Sequence, residues 1–117
     1  MGIPSMNLVS VVQRQLEAYN ERDLERFVAA YSDTVQIFRP PVLQPAISGM
    51  AQLSEFYRTQ RFNLPALKAE ILNRMVLGSR VIDHERIWGV RDKPFEVAVV
   101  YEVVDDKIQT VWAFAAE

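Results

Sequence analysis

The chain has 117 residues, of which 50% are hydrophobic and 24% charged, and this length and balance predict one domain with a single core. The formal net charge is −2 and the basic residues form no run, which argues against nucleic acid as a partner. The absence of cysteine excludes disulfides and thiolate metal sites.

Two further features bear on where the protein works. No stretch approaches the roughly 20 apolar residues that span a bilayer. Residues 1–6 lack the basic-then-apolar pattern of a secretion signal. We therefore predict a single domain over residues 1–117 that is cytoplasmic and does not bind membranes.

The first part of the chain has the periodicity of helices. A first helix is predicted from apolar residues at three- and four-residue spacing, at Leu8, Val12, Leu16 and Tyr19. Asp23 is placed as the N-cap of a short second helix that carries Leu24, Phe27, Val28 and Tyr31. Residues 34–39 alternate like a strand and run into prolines, after which Ser48 is placed to cap a third helix with Met50, Leu53, Phe56 and Tyr57.

The second half of the chain predicts a β-meander. Four β-rich segments are separated by short turns, namely Lys68–Leu77, Arg80–Trp88, Phe95–Val104 and Lys107–Ala115. Strands of roughly nine or ten residues usually curve in a small domain. The predicted fold is therefore α+β, a cone-shaped, curved antiparallel sheet covered by three N-terminal helices, with a short N-terminal strand beside the four-stranded meander.

Three segments carry a family resemblance: LEAYNERDLERFVAAYSDTVQIF, ISGMAQLSEFYR and YEVVDDKIQTVWAF. Together they resemble the SnoaL-like and ketosteroid-isomerase-like branch of the nuclear transport factor 2-like superfamily. The resemblance implies the cone fold, frequent homodimers through the outer sheet face, and a pocket for a small, largely apolar molecule. It does not imply one activity, because the superfamily contains isomerases, cyclases, dehydratases, epoxide hydrolases and non-catalytic binders.

The resemblance permits a test of ketosteroid isomerase chemistry, which uses a general-base aspartate, a protonated aspartate and an oxyanion tyrosine. These positions correspond by resemblance to Arg39, Val100 and Gln15, so all three chemical groups are missing. Two tyrosines that support the isomerase network correspond to Tyr31 and Tyr57. The isomerase mechanism is therefore not expected here.

Strand register predicts which side chains line the pocket. The turn at residues 78–79 pairs Arg74 with Asp83, and a symmetric turn at 89–94 would put Asp83 and Glu85 on the face that carries small residues. A bulge would reverse this assignment. The predicted pocket contains Arg39, Arg74, Asp83, Glu85, Ile87, Ala98, Val100, Val111 and Ala113, with Tyr31 and Tyr57 from the helices.

Bulky apolar residues are predicted on the opposite, outer face of the sheet: Val97, Val99, Tyr101, Trp112 and Phe114. An antiparallel sheet that is apolar on both faces needs a cover on each. The helices supply one cover, and we predict that a homodimer supplies the other.

Two interpretations of the charged residues stay open. In the functional one, Glu85 has a raised pKa and acts as general acid or base, Arg74 holds Asp83 ionised, and Arg39 anchors a polar oxygen of the ligand. In the structural one, Asp83, Glu85 and Arg74 form a cross-strand ion network and Arg39 is an exposed strand end.

Cofactor chemistry is not predicted. The single histidine, His84, falls on the outer face, and one histidine without cysteine is a poor set of metal ligands. No glycine-rich phosphate loop is present. The expected function is binding of a small, mostly apolar molecule with a polar oxygen, with acid/base isomerisation, cyclisation, dehydration or hydrolysis as candidate reactions and a non-catalytic ligand-binding or dimerisation module as the alternative.

Overall fold

The structure, a computed structural model, describes residues 4–116, with side chains from residue 8 onward, and residues 1–3 and 117 of the predicted domain lie outside it. The helices are α1 (Pro4–Glu21), α2 (Leu24–Ala29) and α3 (Met50–Gln60). The strands are β1 (Tyr31–Phe38), β2 (Ile47–Ser48), β3 (Lys68–Leu77), β4 (Arg80–Trp88), β5 (Phe95–Val104) and β6 (Lys107–Ala115). The predicted α+β class is confirmed. Within the described residues, no helix combines the length and apolar character needed to cross a membrane.

The strands form one sheet in the order β2-β1-β6-β5-β4-β3. The meander from β3 to β6 is antiparallel and has the predicted bounds. Strand β1 runs parallel to β6, and β2, which the sequence did not predict, pairs antiparallel with β1. The sheet is therefore mixed and has six strands rather than five.

The start of α2 follows local capping chemistry, and that of α3 does not. The Asp23 side chain accepts a hydrogen bond from the backbone N of Arg26 at 3.2 Å, which confirms it as the N-cap of α2. The predicted cap of α3 at Ser48 is wrong, because Ser48 lies in β2 opposite Gln36 of β1, and Gly49 takes the cap position at φ 88°. The second helix also ends earlier than predicted, so that Tyr31 begins β1.

Helix α1 lies across the sheet and contacts strands β3 to β6. Its predicted apolar face is buried there, with Val12 fully enclosed. Beside it, an aromatic cluster joins the three helices to the start of β1, and it consists of Tyr19, Phe27, Tyr31, Tyr57 and Phe62. The Phe27 ring centroid lies 4.5 Å from that of Tyr57 and 5.0 Å from that of Tyr31. This packing holds the tyrosine rings in place.

The turn between β4 and β5 is not symmetric, and this changes the predicted register by one residue. Asp83 opposes Val99 and Glu85 opposes Val97. Gly89 has a φ of 85°, and a Cβ there would lie 2.3 Å from the carbonyl oxygen of Ala66. Because only glycine fits this close approach, the turn is shaped by its contact with the preceding loop rather than by strand pairing alone.

A bulge changes the register a second time, between β5 and β6. The turn residues Asp105 and Asp106 have φ values of 51° and 62°, as a two-residue hairpin turn requires. Beyond it, pairing shifts by one residue at Gln109, whose side-chain amide donates to the Thr34 carbonyl oxygen at 3.0 Å. The bulge is thus tied to β1.

These two shifts decide the faces of β5 and β6. On β5, the predicted faces are wrong: Val97, Val99 and Tyr101 face the helices, whereas Ala98 and Val100 lie on the outer face. On β6, Val111 and Ala113 face the helices as predicted, because the two one-residue shifts cancel. The outer apolar residues are therefore Ala98, Val100, Trp112 and Phe114.

Candidate functional site

A cavity of about 400 Å³ lies between the helices and the inner face of the sheet. This volume is within the roughly 300–1,000 Å³ that is usual for small-molecule sites. Most of its lining is aliphatic or aromatic, including Leu16, Phe27, Ile37, Ile87, Val97 and Val99. The charged side chains in the lining are Glu85, Arg39, Arg61 and Arg91.

Glu85 lies on the inner face of β4 and is 5% exposed. Burial and the nearby charge of Asp83 raise the pKa of Glu85 to about 7, although the hydrogen bond from Tyr101 and the charge of Arg74 act to lower it. No basic side chain of residues 4–116 forms an ion pair with it. Near neutral pH, Glu85 therefore populates both its protonated and its ionised form.

A chain of side-chain hydrogen bonds fixes one oxygen of Glu85. The Tyr101 hydroxyl donates to Glu85 Oε2 at 3.1 Å, and Gln15 Nε2 donates to the Tyr101 oxygen at 3.3 Å. The Tyr31 hydroxyl donates to Gln15 Oε1 at 3.0 Å. Burial raises the pKa of Tyr31 and of Tyr101 well above the usual value, so both hydroxyls stay neutral donors.

The other oxygen of Glu85, Oε1, accepts no hydrogen bond from the described residues, and the same part of the structure holds no enclosed polar side-chain atom without a partner. Oε1 therefore reaches the open space of the cavity. The hydroxyls of Tyr19 and Tyr57 are also open to a ligand, because both residues line the cavity and neither hydroxyl has a partner among the side chains of residues 8–116. Three oxygen atoms are thus available to a ligand.

Tyr57 is a neutral donor in this arrangement. Burial raises its pKa, against the opposing charges of Arg61 and Arg39, and the negative charge of Glu85 acts in the same direction as burial. A hydroxyl that stays protonated can donate to an oxygen of a bound molecule.

Asp83 has a different environment from Glu85, two residues away on the same face. Its side chain is 0% exposed, and both of its oxygens accept from Arg74, at 2.7 Å from Nε and 2.9 Å from Nη2. Arg74 also donates to Gln13 Oε1 on α1 at 2.9 Å. Neither Asp83 nor Arg74 lines the cavity. The Asp83–Arg74 pair therefore links β3 and β4 to α1.

Only some of the predicted site residues line the cavity. Those that line the cavity are Glu85, Arg39, Tyr31, Tyr57, Ile87, Val111 and Ala113. Those that do not are Asp83, Arg74, Ala98 and Val100. The placement of Ala98 and Val100 in the pocket was wrong because of the turn and bulge described above. That of Asp83 and Arg74 was wrong because α1 fills the space above them.

A family model for the SnoaL-like domain matches residues 12–111. The chain belongs to the SnoaL-like domain family. The match covers most of the cavity lining, from α1 to the middle of β6. No curated protein matches the chain in sequence.

Solved structures with the same fold support the SnoaL-like architecture. A candidate ketosteroid isomerase from Kribbella flavida DSM 17836 has a TM-score of 0.82 at 19% identity, over 96% of this chain and 79% of the other. An epoxide hydrolase of M. tuberculosis, described as LEH-like, has a TM-score of 0.79 at 17% identity, over 95% and 84%. A cystatin-fold protein from Novosphingobium aromaticivorans has a TM-score of 0.80 at 22% identity, over 92% and 96%. At these identities the likeness shows the fold alone.

Within the SnoaL-like fold, the structure shows where the three residues at the ketosteroid isomerase positions lie. Gln15 is buried in the hydrogen-bond chain to Glu85, and Arg39 is an exposed residue that lines the cavity after β1. Val100 faces outward, and Val99 takes the inner position beside it. No group of three or more potential metal-ligating side chains occurs in residues 4–116.

The cavity residues that sequence reasoning missed include four with polar side-chain groups, Tyr19, Arg61, Arg91 and Tyr101. Tyr101 was assigned to the outer face because the register was one residue off. Arg61 and Arg91 lie in irregular segments, after α3 and in the β4–β5 turn, where periodicity gives no signal. The Cζ atom of Arg61 lies 5.0 Å from the centroid of the Phe56 ring of α3, a contact that no sequence pattern indicated.

Proposed function

We propose that this SnoaL-like protein is an acid/base enzyme that acts on a small, mostly apolar molecule with a polar oxygen, and that Glu85 transfers the proton. The observation that carries the proposal is the buried carboxylate of Glu85, which has one oxygen free at a mostly aliphatic and aromatic cavity lining and whose pKa burial raises to about 7. General acid/base catalysis is most efficient when the pKa of the group lies near the working pH. An ordinary exposed glutamate has a pKa of about 4.3 and would be a weak base.

The geometry around Glu85 supports a division of roles. Tyr101 holds Oε2, so that Oε1 is the atom that exchanges a proton with the ligand. The free hydroxyls of Tyr57 and Tyr19 can donate to an oxygen on the ligand as negative charge develops there. This combination suits proton abstraction next to a polarised oxygen, or proton donation to a leaving oxygen, which isomerisation, cyclisation, dehydration and hydrolysis all require.

A non-catalytic ligand-binding or dimerisation module is the alternative. It is favoured by the Asp83–Arg74 ion pair, because this pair lies outside the cavity and its geometry suits a structural role. It is also favoured by apolar side chains on the outer sheet face, where Phe114 is 45% exposed and Trp112 stacks on Phe38. We propose a homodimer through this outer face in either case.

Glu85→Gln separates the two proposals, because glutamine keeps the shape of the side chain and cannot titrate. In ¹³C-NMR of carboxyl groups, the wild-type protein should show one glutamate resonance that titrates near pH 7 and is absent from the variant. With a ligand found by thermal-shift screening, the variant should lose roughly 100-fold or more in rate and keep most of its affinity.

The matched control is Glu70→Gln, the same substitution at a residue on β3 that is exposed and outside the cavity. It should leave both rate and the pH 7 resonance unchanged. Turnover by Glu85→Gln at the wild-type rate would refute the catalytic role and leave the binding module.

A further inference from the structure

We infer that the ligand carries a carboxylate, which is bound by Arg39, Arg61 and Arg91 at the cavity. This inference rests on the proposed function, because it concerns the same cavity and assigns the substrate class as a small amphipathic carboxylic acid. The apolar body of the acid would lie against the aliphatic and aromatic lining, within reach of Glu85.

The three arginines come from separate parts of the chain. Arg39 follows β1, Arg61 follows α3, and Arg91 lies in the turn between β4 and β5, yet all three line one cavity. Side chains brought together from three loops are a usual way to build a binding site on a rigid scaffold.

Arg39, Arg61 and Arg91 lack the acidic partners that five other arginines of the described residues have. Within residues 4–116, none of the three lies within 4 Å of a carboxylate, whereas surface residues such as Arg58 and Arg80 form ion pairs. The only carboxylate in the cavity lining is Glu85, which is protonated below pH 7. The lining therefore has an excess of positive charge in a chain whose net charge is −2. An anionic ligand would neutralise it.

Aromatic rings hold the guanidinium groups in position. The Cζ atoms of Arg39 and Arg61 lie 5.4 Å and 5.0 Å from the ring centroid of Phe56, and that of Arg91 lies 4.0 Å from the centroid of Phe95. A guanidinium on a ring face is ordered by that contact and still has N–H donors at its edge. This reduces the entropy that anion binding would otherwise cost.

The charge of the cavity favours a carboxylate over a phosphate. Glu85 lies in the same cavity, and its ionised form would repel a bound anion. A carboxylate carries one negative charge, whereas a phosphate monoester carries up to two near pH 7. A planar carboxylate also accepts two parallel hydrogen bonds from one guanidinium.

Isothermal calorimetry with matched probes tests the inference. The probes are straight-chain and phenyl-substituted monocarboxylates of about six to twelve carbon atoms, their methyl esters, and alkyl phosphates of the same length, a size range that the cavity can hold. The wild-type protein should bind at least one carboxylate about tenfold or more tightly than its methyl ester, and the affinity should fall as salt is added. A methyl ester that binds as well as its acid would overturn the inference, as would a panel in which no carboxylate binds or in which the phosphates bind more tightly.

Single substitutions test the three arginines. Arg39→Gln, Arg61→Gln and Arg91→Gln should each weaken carboxylate binding by about tenfold and leave ester binding unchanged. Arg58→Gln is the control, because Arg58 lies on α3 near Arg61 but outside the cavity. Wild-type affinity for the carboxylate in all three cavity variants would overturn the inference. The ester comparison uses only wild-type protein, so it stays decisive if a variant fails to fold.

The experiments distinguish this inference from the proposed function. If the arginine variants bind normally while Glu85 titrates near pH 7, the inference of a carboxylate ligand is wrong and the proposed role of Glu85 stands. If Glu85 titrates at an ordinary value while the arginine variants lose binding, the catalytic role is wrong and the ligand class stands.

Discussion

Asp83 and Glu85 lie two residues apart on one face of β4 and illustrate two ways in which a fold can bury a carboxylate. At Asp83, α1 lies close to the sheet and Arg74 occupies both oxygens, so the charge is neutralised within the protein. At Glu85, the space between helix and sheet is open, one oxygen is held by a neutral hydroxyl and the other faces the cavity. The first carboxylate fixes structure, and the second is available for chemistry.

The difference comes from neighbours rather than from the residue type. Both side chains are nearly inaccessible, at 0% and 5% exposed. Burial alone disfavours a charge, and a bidentate arginine compensates for this where it is present. Glu85 has no such partner among the described residues, and its pKa rises instead. The contrast predicts that removing its partner destabilises the protein strongly at Asp83, and that Glu85 makes the stability of the protein depend on pH.

The largest effect on stability is expected when Asp83 loses its arginine partner. Arg74→Met should leave the Asp83 carboxylate buried without a partner and cost roughly 3–5 kcal/mol of unfolding free energy. Urea denaturation at pH 7 measures this. Arg80→Met removes an exposed pair with Glu102 and should cost at most about 1 kcal/mol. Equal losses of unfolding free energy in the two variants would show that the buried Asp83–Arg74 pair stabilises the protein no more than an exposed pair does.

A smaller effect is expected from the titration of Glu85. Its folded pKa of about 7 is above the usual 4.5, so the native state holds the proton more tightly than the unfolded state. The resulting stabilisation is fully present below pH 4.5 and is lost as pH rises through 7, by about 3 kcal/mol in total. Unfolding free energies measured from pH 4.5 to 8 for wild type and Glu85→Gln should therefore differ by an amount that changes with pH. A constant difference would place the pKa of Glu85 at its ordinary value.

The smallest effect is expected from the hydrogen-bond chain at Glu85, whose members are neutral side chains, whereas Asp83 is bound by an arginine. The Tyr101 hydrogen bond lowers the pKa of Glu85, so Tyr101→Phe should raise that pKa further, by about one unit. Carboxyl ¹³C-NMR gives the value directly. Tyr31→Phe acts two hydrogen bonds away and should shift it less. A lower pKa in Tyr101→Phe would contradict the proposed geometry.

Local sequence patterns were sufficient for the elements and for part of the site. Alternation and turn residues gave the bounds of β3 to β6, and the Asp23 cap was identified from residue type and position alone. Glu85 and Ile87 do line the pocket as predicted, although the symmetric turn assumed for that prediction is wrong: they oppose Val97 and Phe95 of β5, which also line the cavity. β2 was missed because two residues are too few to show alternation.

Contacts between distant segments decided the rest. The register is shifted by one residue at the β4–β5 turn, where Gly89 approaches Ala66, and again at Gln109, which bonds to Thr34, and neither partner can be read from the strands concerned. A shift of one residue exchanges the two faces of a strand, which is why Tyr101 was expected outside and is found beside Glu85. The sequence by itself thus determined the SnoaL-like elements and their order, since these depend on local periodicity. Only the tertiary structure decided that Asp83 and Arg74 lie outside the cavity while Glu85 lines it, because that depends on where α1 fills the space above the sheet.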